Sequence, residues 1–269
     1  MMKKILIIGK RGFLGKNLHK YLKKKFKSKI IHFKDINKFK KEINNFNYVI
    51  NTSINKNYIN KKYLKKYDND FMISKMINSK QTTYIFLSSR KVYKEKANIK
   101  EDDKLFPKTH YSKNKLITEK NLKKKFGKKL LILRISNIIG YKENLKSYLH
   151  ETFIDYFYKY AKRGIIFDNL KKFKDFISIQ KFCQLLEMVI KKNLYGTFNL
   201  SIGRKVYLND IVEWLNKFNK KKIKVIKLRE FKDGNFYLNN SKLMKKIRIK
   251  NTLNELRTDC MNLSKKLFN

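Results

Sequence analysis

Two groups of residues in this sequence have the types and spacing to do chemistry. The first is Tyr111-Ser112-Lys113-Asn114-Lys115. Four residues apart on a helix, Tyr111 and Lys115 share a face. A phenol is a poor base near neutral pH, with an ordinary pKa of about 10. An ammonium ~4 Å away at an effective dielectric of ~20 favours the phenolate by up to about 4 kcal/mol. That brings a tyrosine into the range of general acid–base catalysis. Ser89, which closes the apolar run from Thr83, could hydrogen-bond the same substrate oxygen. The motif alone is cheap here, because the chain has 16 Tyr and 67 Lys and Arg together. Tyr-x-x-x-Lys also begins at Tyr21, Tyr58 and Tyr158. Context separates Tyr111: it opens an expected helix after a loop that contains the chain's one proline, Pro107. By itself the pair could equally be a solvated helix start with Tyr111 as a packing residue.

The second group is Gly9-Lys10-Arg11-Gly12-Phe13-Leu14-Gly15. Gly9 permits a tight turn, Gly12 a close approach of backbone to a pyrophosphate, and Gly15 close packing of helix on sheet. The N–H groups of the following helix, including those near Phe13 and Leu14, offer the phosphates a positive dipole end. Glycine is scarce, nine residues in all, so this spacing arises by chance in about one such chain in a hundred. The loop predicts a bound dinucleotide phosphate.

These residues need elements to hold them. Lys4–Ile8 is a continuous apolar run ending at glycine, as in a buried parallel strand. Helical spacing follows over Phe13–Phe26. A strand is predicted over Lys29–Phe33, a short helix over Ile36–Phe46 and a strand over Tyr48–Asn51. Helix is expected over 57–79, strand over Thr83–Leu87, helix over Ser112–Phe126 and strand over Lys129–Ile135. This alternation predicts an α/β protein with a Rossmann-type, doubly wound parallel sheet. Beyond residue 140 the pattern predicts helices at 148–162, 179–192, 207–218, 240–247 and 252–267. Short strands are expected near 173–178, 197–201 and 223–228. Residues 1–140 then form a dinucleotide-binding domain completed by segments within 171–202. Residues 141–269 form a small, mostly helical, interleaved substrate-binding part.

Composition bounds the function. The 269 residues carry a formal net charge of +46, yet only eight of the 67 basic residues are Arg. The chain favours Lys, Asn, Ile, Phe and Tyr, whose codons are A/T-rich, and has two Ala and one Pro. The charge therefore reads mainly as lysine drifted onto solvated faces of a protein from an A/T-rich gene. Two cysteines, Cys183 and Cys260, make no disulfide framework. They and the four histidines show no metal-ligand spacing. No apolar stretch approaches the ~18 residues of a membrane span. A soluble, cytoplasmic protein without a metal or a membrane partner is expected.

Taken in order, the motifs resemble the extended short-chain dehydrogenase/reductase family, the NAD(P)-dependent nucleotide-sugar epimerases, dehydratases and reductases. The resemblance runs over residues 3–250. It rests on the glycine loop, Asn51-Thr52-Ser53, Asn69, Ser88-Ser89 before Val92-Tyr93, Pro107 before Tyr111 and Lys115, and Leu133-Arg134 before Asn137 and Gly140. It continues through Lys174-Asp175-Phe176-Ile177 and Gly196-Thr197-Phe198-Asn199-Leu200. The resemblance implies that Tyr111 donates and accepts the proton. It implies that Lys115 holds the nicotinamide ribose and that Ser89 orients the sugar hydroxyl or carbonyl. By the same likeness the cofactor is NAD or NADP, Asn51 borders it, and Asn137 and Lys174 border the substrate. Asp35 is the one nearby candidate for the acidic residue that the family places on the adenosine ribose, or it serves the adenine side, and Arg11 and Lys34 could receive a 2′-phosphate, which tips the balance slightly toward NADP. Lys174 stands where the family usually has an arginine, so it keeps the charge and loses the fork. Arg90 and Lys91 follow Ser89, where a 4,6-dehydratase would carry acidic residues. A 4-epimerase or a 4-keto reductase acting on a nucleotide sugar is the expected function. A homodimer is also implied, although Lys113, Lys120 and Lys123–Lys125 coat the helix that would pair. The competing reading is a non-catalytic or nucleic-acid-binding protein that uses its basic surface on a dinucleotide-binding fold. Lysine spread along the whole chain and scarce arginine argue against nucleic acid as a partner.

Overall fold

A computed structural model describes residues 2–142, 153–167, 170–226 and 234–268. In chain order the first elements are β1 (Lys4–Ile8), α1 (Phe13–Leu22), β2 (Lys27–Ile31), β3 (Tyr48–Asn51), α2 (Lys56–Asn60), α3 (Asn69–Ser74), β4 (Thr83–Ser89), α4 (His110–Phe126), β5 (Leu130–Ile135) and β6 (Asn137–Ile139). There follow α5 (Phe153–Ala161), β7 (Ile165–Phe167), β8 (Phe173–Lys174), β9 (Phe176–Ser178), α6 (Ile179–Lys191), β10 (Gly196–Leu200), β11 (Val206–Tyr207), α7 (Leu208–Asn216), β12 (Lys224–Ile226), α8 (Ser241–Ile247) and α9 (Leu253–Phe268).

The chain divides into two units. The first comprises residues 1–94, 104–135 and 183–198, and the second residues 95–103, 136–182 and 199–269. The sheet runs in the order β10-β5-β4-β3-β1-β2. β1 pairs in parallel with β2 and β3, β3 with β4, and β4 with β5. The order reverses between β1 and β3, which is where an open sheet of this kind receives a dinucleotide. Ile5, Leu6, Ile7 and Ile8 are all fully buried, so both faces of β1 are covered. Leu6, Ile8, Val49, Tyr84, Phe86, Leu122 and Ile132 share one cluster of this unit's core. The second unit has its own core, around Phe157, Phe176, Trp214, Leu256 and Leu263 from α5, β9, α7 and α9.

Several predicted elements differ in the structure. The helix expected over 57–79 is broken into α2, a 3₁₀ turn at Lys65–Tyr67 and α3. Short polar side chains cause the breaks: Asn55 Oδ1 caps Asn57 N at 2.8 Å and Asp68 Oδ1 caps Phe71 N at 3.0 Å. The helix expected over Ile36–Phe46 is two 3₁₀ turns, Phe33–Phe39 and Glu42–Asn45. Ile36 and Ile43 are nevertheless buried, so their inward spacing is right and the element type is wrong. α1 ends at Leu22 rather than Phe26, although Phe26 stays buried and its N–H reaches Leu22 O at 2.9 Å. The strand expected near 173–178 divides at Asp175. β8 pairs antiparallel with β11, and β9 pairs in parallel with β6. Of the helix predicted over 148–162, residues 148–152 lie outside the described residues, as do 227 and 228 of the last predicted strand.

Candidate active site

The glycine loop is fixed by backbone before any ligand is considered. Gly9 N and Lys10 N both donate to Ile31 O, at 2.9 and 3.0 Å, and Gly12 N donates to Gly9 O at 3.0 Å. Gly9 has φ +122°, and a Cβ there would lie 2.3 Å from Thr52 Oγ1. A Cβ on Gly15 would lie 2.3 Å from Gly9 O. These two glycines are required by packing against the end of β3. Gly12 is less confined, with 3.4 Å to its nearest neighbour, Gly9 O. It caps α1 without any side-chain acceptor, and the first turn carries no acidic residue. The N-terminus of the ten-residue α1 therefore presents its positive dipole end with no carboxylate beside it, which favours an anion. A dinucleotide phosphate fits this cradle. Thr52, read in the sequence only as part of a motif, backs the loop: its Oγ1 donates to Ile8 O at 2.9 Å, tying the residue after β3 to the end of β1.

The other predicted cofactor residues are placed as follows. Phe13 and Leu14 open α1 half-buried, and Arg11 is exposed beside them. Asp35 sits in the turn after β2 and pairs with Lys38 at 3.7 Å, while Lys34 is exposed. β2 closes on Ile31-His32, with no carboxylate at its end. Asn51 is buried and folds back on Ser53, accepting from its N–H at 2.9 Å and from its hydroxyl at 2.6 Å. Asn69 Nδ2 donates to Ser53 Oγ at 2.9 Å.

The tyrosine–lysine helix is α4. Thr109 and Ser112 form a reciprocal capping box at its start, with Ser112 N to Thr109 Oγ1 at 3.2 Å and Thr109 N to Ser112 Oγ at 3.0 Å. That sets Tyr111 in the first turn, half-buried. Lys115 is only 6% exposed. Its Nζ donates to Leu87 O at 2.9 Å and stands 5.9 Å from the Tyr111 ring centroid. The structure therefore places tyrosine and lysine together, with the ammonium anchored two residues before Ser89 on β4. Ser89 ends β4, and its Oγ accepts from Lys91 N at 3.2 Å. The hydroxyls of two other Tyr-x-x-x-Lys tyrosines are held elsewhere: Tyr58 is buried and shares a hydrogen bond with Thr118 Oγ1 at 2.7 Å, and the Tyr21 hydroxyl donates to Glu187 Oε2 at 2.9 Å.

A buried brace holds α4 against the sheet. Arg134 on β5 donates to Glu119 from Nη2 at 2.7 Å and from Nε at 3.1 Å, and from Nη1 to the Tyr93 hydroxyl at 2.8 Å. Ser88 Oγ donates to Glu119 Oε1 at 2.6 Å. Burial works against the guanidinium charge, and the bonds to Glu119 more than offset this, raising the Arg134 pKa above its ordinary value. Breaking such a buried pair costs several kcal/mol, roughly 3–5. Glu119 lies four residues beyond Lys115 on α4, and no local signal in the sequence pointed to its pairing with Arg134.

The substrate candidates Asn137 and Lys174 belong to the second unit. Asn137 begins β6, opposite Phe176, and Lys174 ends β8, opposite Val206; both are half-buried. Between β8 and β9 lies Asp175, fully buried, whose two oxygens accept from Ile202 N at 3.1 Å and Leu238 N at 2.9 Å. Burial pushes its carboxyl up to about 7 against these bonds. Among the described residues no group of His, Cys, Asp and Glu could hold a metal ion, and no helix is long and apolar enough to cross a membrane.

Comparison with known proteins agrees with this fold. A UDP-N-acetylglucosamine 4-epimerase from Methanobrevibacter ruminantium M1, in complex with UDP-N-acetylmuramic acid, is 20% identical, with TM-score 0.78 and coverage of 98% of this chain and 97% of that one. A dTDP-4-dehydrorhamnose reductase from Clostridium acetobutylicum is 21% identical, with TM-score 0.75 over 98% and 99% of the two chains. A UDP-glucuronic acid 4-epimerase from Bacillus cereus, in complex with NAD, is 18% identical, with TM-score 0.75 over 99% and 100%. No curated protein matches the chain by sequence. Residues 5–201 match the model of the NAD dependent epimerase/dehydratase family, and the chain belongs to that family.

Proposed function

We propose that the protein is an NAD(P)-dependent oxidoreductase that acts on a nucleotide sugar, as a 4-epimerase or a 4-keto reductase. The observation that carries this reading is the buried Lys115 ammonium, bonded to Leu87 O and facing the Tyr111 ring on the first turn of α4. A nicotinamide dinucleotide, when bound, supplies or takes up the hydride. The chain's residues do the rest. Tyr111 gives a proton to the sugar oxygen or takes one from it as that carbon is reduced or oxidised. Lys115 favours the phenolate electrostatically and is assigned to the nicotinamide ribose. Ser89 orients the sugar oxygen with its hydroxyl. Gly9, Gly12 and Gly15 let α1 meet the pyrophosphate. Asn137 and Lys174 are assigned to the sugar nucleotide, Lys174 as a point charge toward the diphosphate.

Arg90 and Lys91 after Ser89 disfavour a dehydratase, which needs an acidic group there. NADP is favoured over NAD on local charge. Arg11 and Lys34 are exposed basic groups near the loop, β2 ends without a carboxylate, and Asp35 is engaged by Lys38. The test is Tyr111→Phe. It lowers kcat at least ~10³-fold, about 4 kcal/mol, while NADPH binding, followed by fluorescence, is unchanged. Turnover at the wild-type rate in that variant would sink the mechanism.

A further inference from the structure

Three aromatic rings stand round the buried ammonium of Lys115. Its Nζ lies 4.6 Å from the centroid of the Phe86 ring, 5.7 Å from that of Tyr58 and 5.9 Å from that of Tyr111. A cation within ~6 Å of a ring face is attracted by the ring's quadrupole, most strongly where water is excluded. The rings come from three elements: Phe86 from β4, Tyr58 from α2 and Tyr111 from α4. Phe86 and Tyr58 are themselves buried. Single lysine–ring contacts come easily to a chain with 16 Tyr, 20 Phe and this much lysine. Lys29 over Phe39 at 4.4 Å and Lys75 over Phe71 at 4.8 Å are two examples, and both lysines are exposed. Lys115 differs from them in being buried and in meeting three rings.

The helix that carries Lys115 also holds Tyr58, and from both ends. Asn114, buried and next to Lys115, donates from Nδ2 to Tyr58 O at 2.7 Å and to Lys61 O at 2.9 Å. Both are carbonyls at the C-terminal end of α2, which a helix end leaves without an intrahelical donor. One turn further along α4, Thr118 Oγ1 donates to Asp68 Oδ2 at 2.6 Å and shares a bond with the Tyr58 hydroxyl at 2.7 Å. With its one proton given to Asp68, Thr118 accepts from the phenol. Burial first, then the Asp68 charge, raise the Tyr58 phenol well above its usual range, so the ring stays neutral. Phe86 needs no clasp, because β4 fixes it one residue before Leu87, whose carbonyl accepts from Lys115 Nζ at 2.9 Å. An ammonium has three N–H donors, and Leu87 O is its one hydrogen-bond acceptor among the described residues.

We propose that Phe86 and Tyr58 are positioning residues for Lys115. Their ring faces seat the ammonium at Leu87 O and beside Tyr111 without taking its hydrogens, so that two N–H groups remain for a ligand's hydroxyls. Asn114 and Thr118 keep the Tyr58 ring in register with the lysine. What this seat does for turnover rests on the roles proposed for Tyr111 and Lys115. The seat itself is a property of the folded chain alone.

The seat is read first in crystal structures of the whole, cofactor-free chain. Phe86→Leu and Tyr58→Leu keep apolar bulk and remove a ring. In each, Nζ is expected to move beyond hydrogen-bond distance of Leu87 O, ~3.5 Å. Tyr58→Phe keeps the ring and should keep Nζ in place. Nζ unmoved in both leucine variants overturns the proposal. Should neither variant fold, fluorination of the Phe86 ring decides, because fluorine draws electron density from the ring face with little change of shape. With 4-fluoro-, 3,5-difluoro- and 3,4,5-trifluorophenylalanine at position 86, the unfolding equilibrium constant in urea should rise stepwise, about tenfold over the series. In a Lys115→Met background the series should be level. Equal behaviour in the two backgrounds means that the ring only packs, and it overturns the proposal. In turnover assays Tyr58→Leu should lower kcat at least ~10-fold, and Tyr58→Phe should rescue that loss. Nζ displaced in the leucine variants of a chain without any turnover would uphold the seat and refute the enzymatic reading. Turnover with Nζ unmoved would do the reverse.

Discussion

Asp70 in the first unit and Asp175 in the second are both sealed from water, and burial pushes both carboxyls up, to about 6 and about 7. Their partners differ in kind. Asp70 accepts from a side chain, the Tyr84 hydroxyl, at 2.8 Å. Asp175 faces backbone, accepting from Ile202 N and Leu238 N, while its own carbonyl accepts from Ser136 Oγ at 2.6 Å. One carboxylate joins α3 to β4 through a tyrosine hydroxyl, and the other ties together three chain segments far apart in sequence. A buried acid is thus informative only through what it bonds. Faults in the first unit should appear in binding and turnover, and faults at Asp175 in folding.

That contrast can be broken in several places. Asp175→Ala leaves two buried N–H groups without an acceptor and should cost about 3 kcal/mol in urea unfolding. A cost below ~1 kcal/mol would remove Asp175 from the structural side. Gly15→Ala forces a Cβ to within 2.3 Å of Gly9 O. It should cost about 2 kcal/mol of stability and weaken NAD(P)H binding at least tenfold, as read by fluorescence titration. Unaltered binding would show that the loop has no ligand to position.

A third prediction concerns pH. The folded-state pKa of Asp175 is raised from 3.8 to about 7. Its contribution to stability is therefore fully present below pH ~3.8 and lost as pH rises through ~7, by at most about 1.4 kcal/mol per unit. Asp175→Asn should flatten the wild-type fall in stability between pH 5 and pH 8, measured by urea midpoints; an equally steep fall in the variant rules Asp175 out as its source. The smallest effect belongs to Lys38→Ala. Its ion pair with Asp35 joins side chains that are 80% and 41% exposed, and it should contribute under ~0.5 kcal/mol. A larger loss in thermal unfolding would make this surface pair structural.

Much of the first unit was legible in the sequence. The apolar run at Ile5–Ile8, the scarce glycines and the Tyr111-Lys115 spacing are local patterns, and local patterns survive folding. The network behind α4 was not legible. Asp68 and Asp70 lie where helical spacing predicted one long helix, and capping by Asn55 and Asp68 breaks that helix and turns the acids inward. The Arg134–Glu119 brace joins residues 15 apart on a strand and a helix, and nothing in their types announced the pairing. Asp175 was noticed within a motif, but its role depends on backbone groups at 202 and 238, which no residue type reveals. The lysines behind the charge of +46 are spread over both units, so the charge singles out no one element of the sequence.

The central claim is that Tyr111 moves the proton while hydride passes between the nicotinamide and the sugar. It is tested most directly by single-turnover transfer of deuterium from 4-deuterated NADPH, and in parallel NADH, to a 4-keto nucleotide sugar. The account predicts label on the sugar carbon with the wild-type chain. With Tyr111→Phe it predicts at least ~10³-fold slower labelling at equal cofactor occupancy. Labelling at equal rates in the two proteins, or none with the wild-type chain at saturating cofactor, would contradict it.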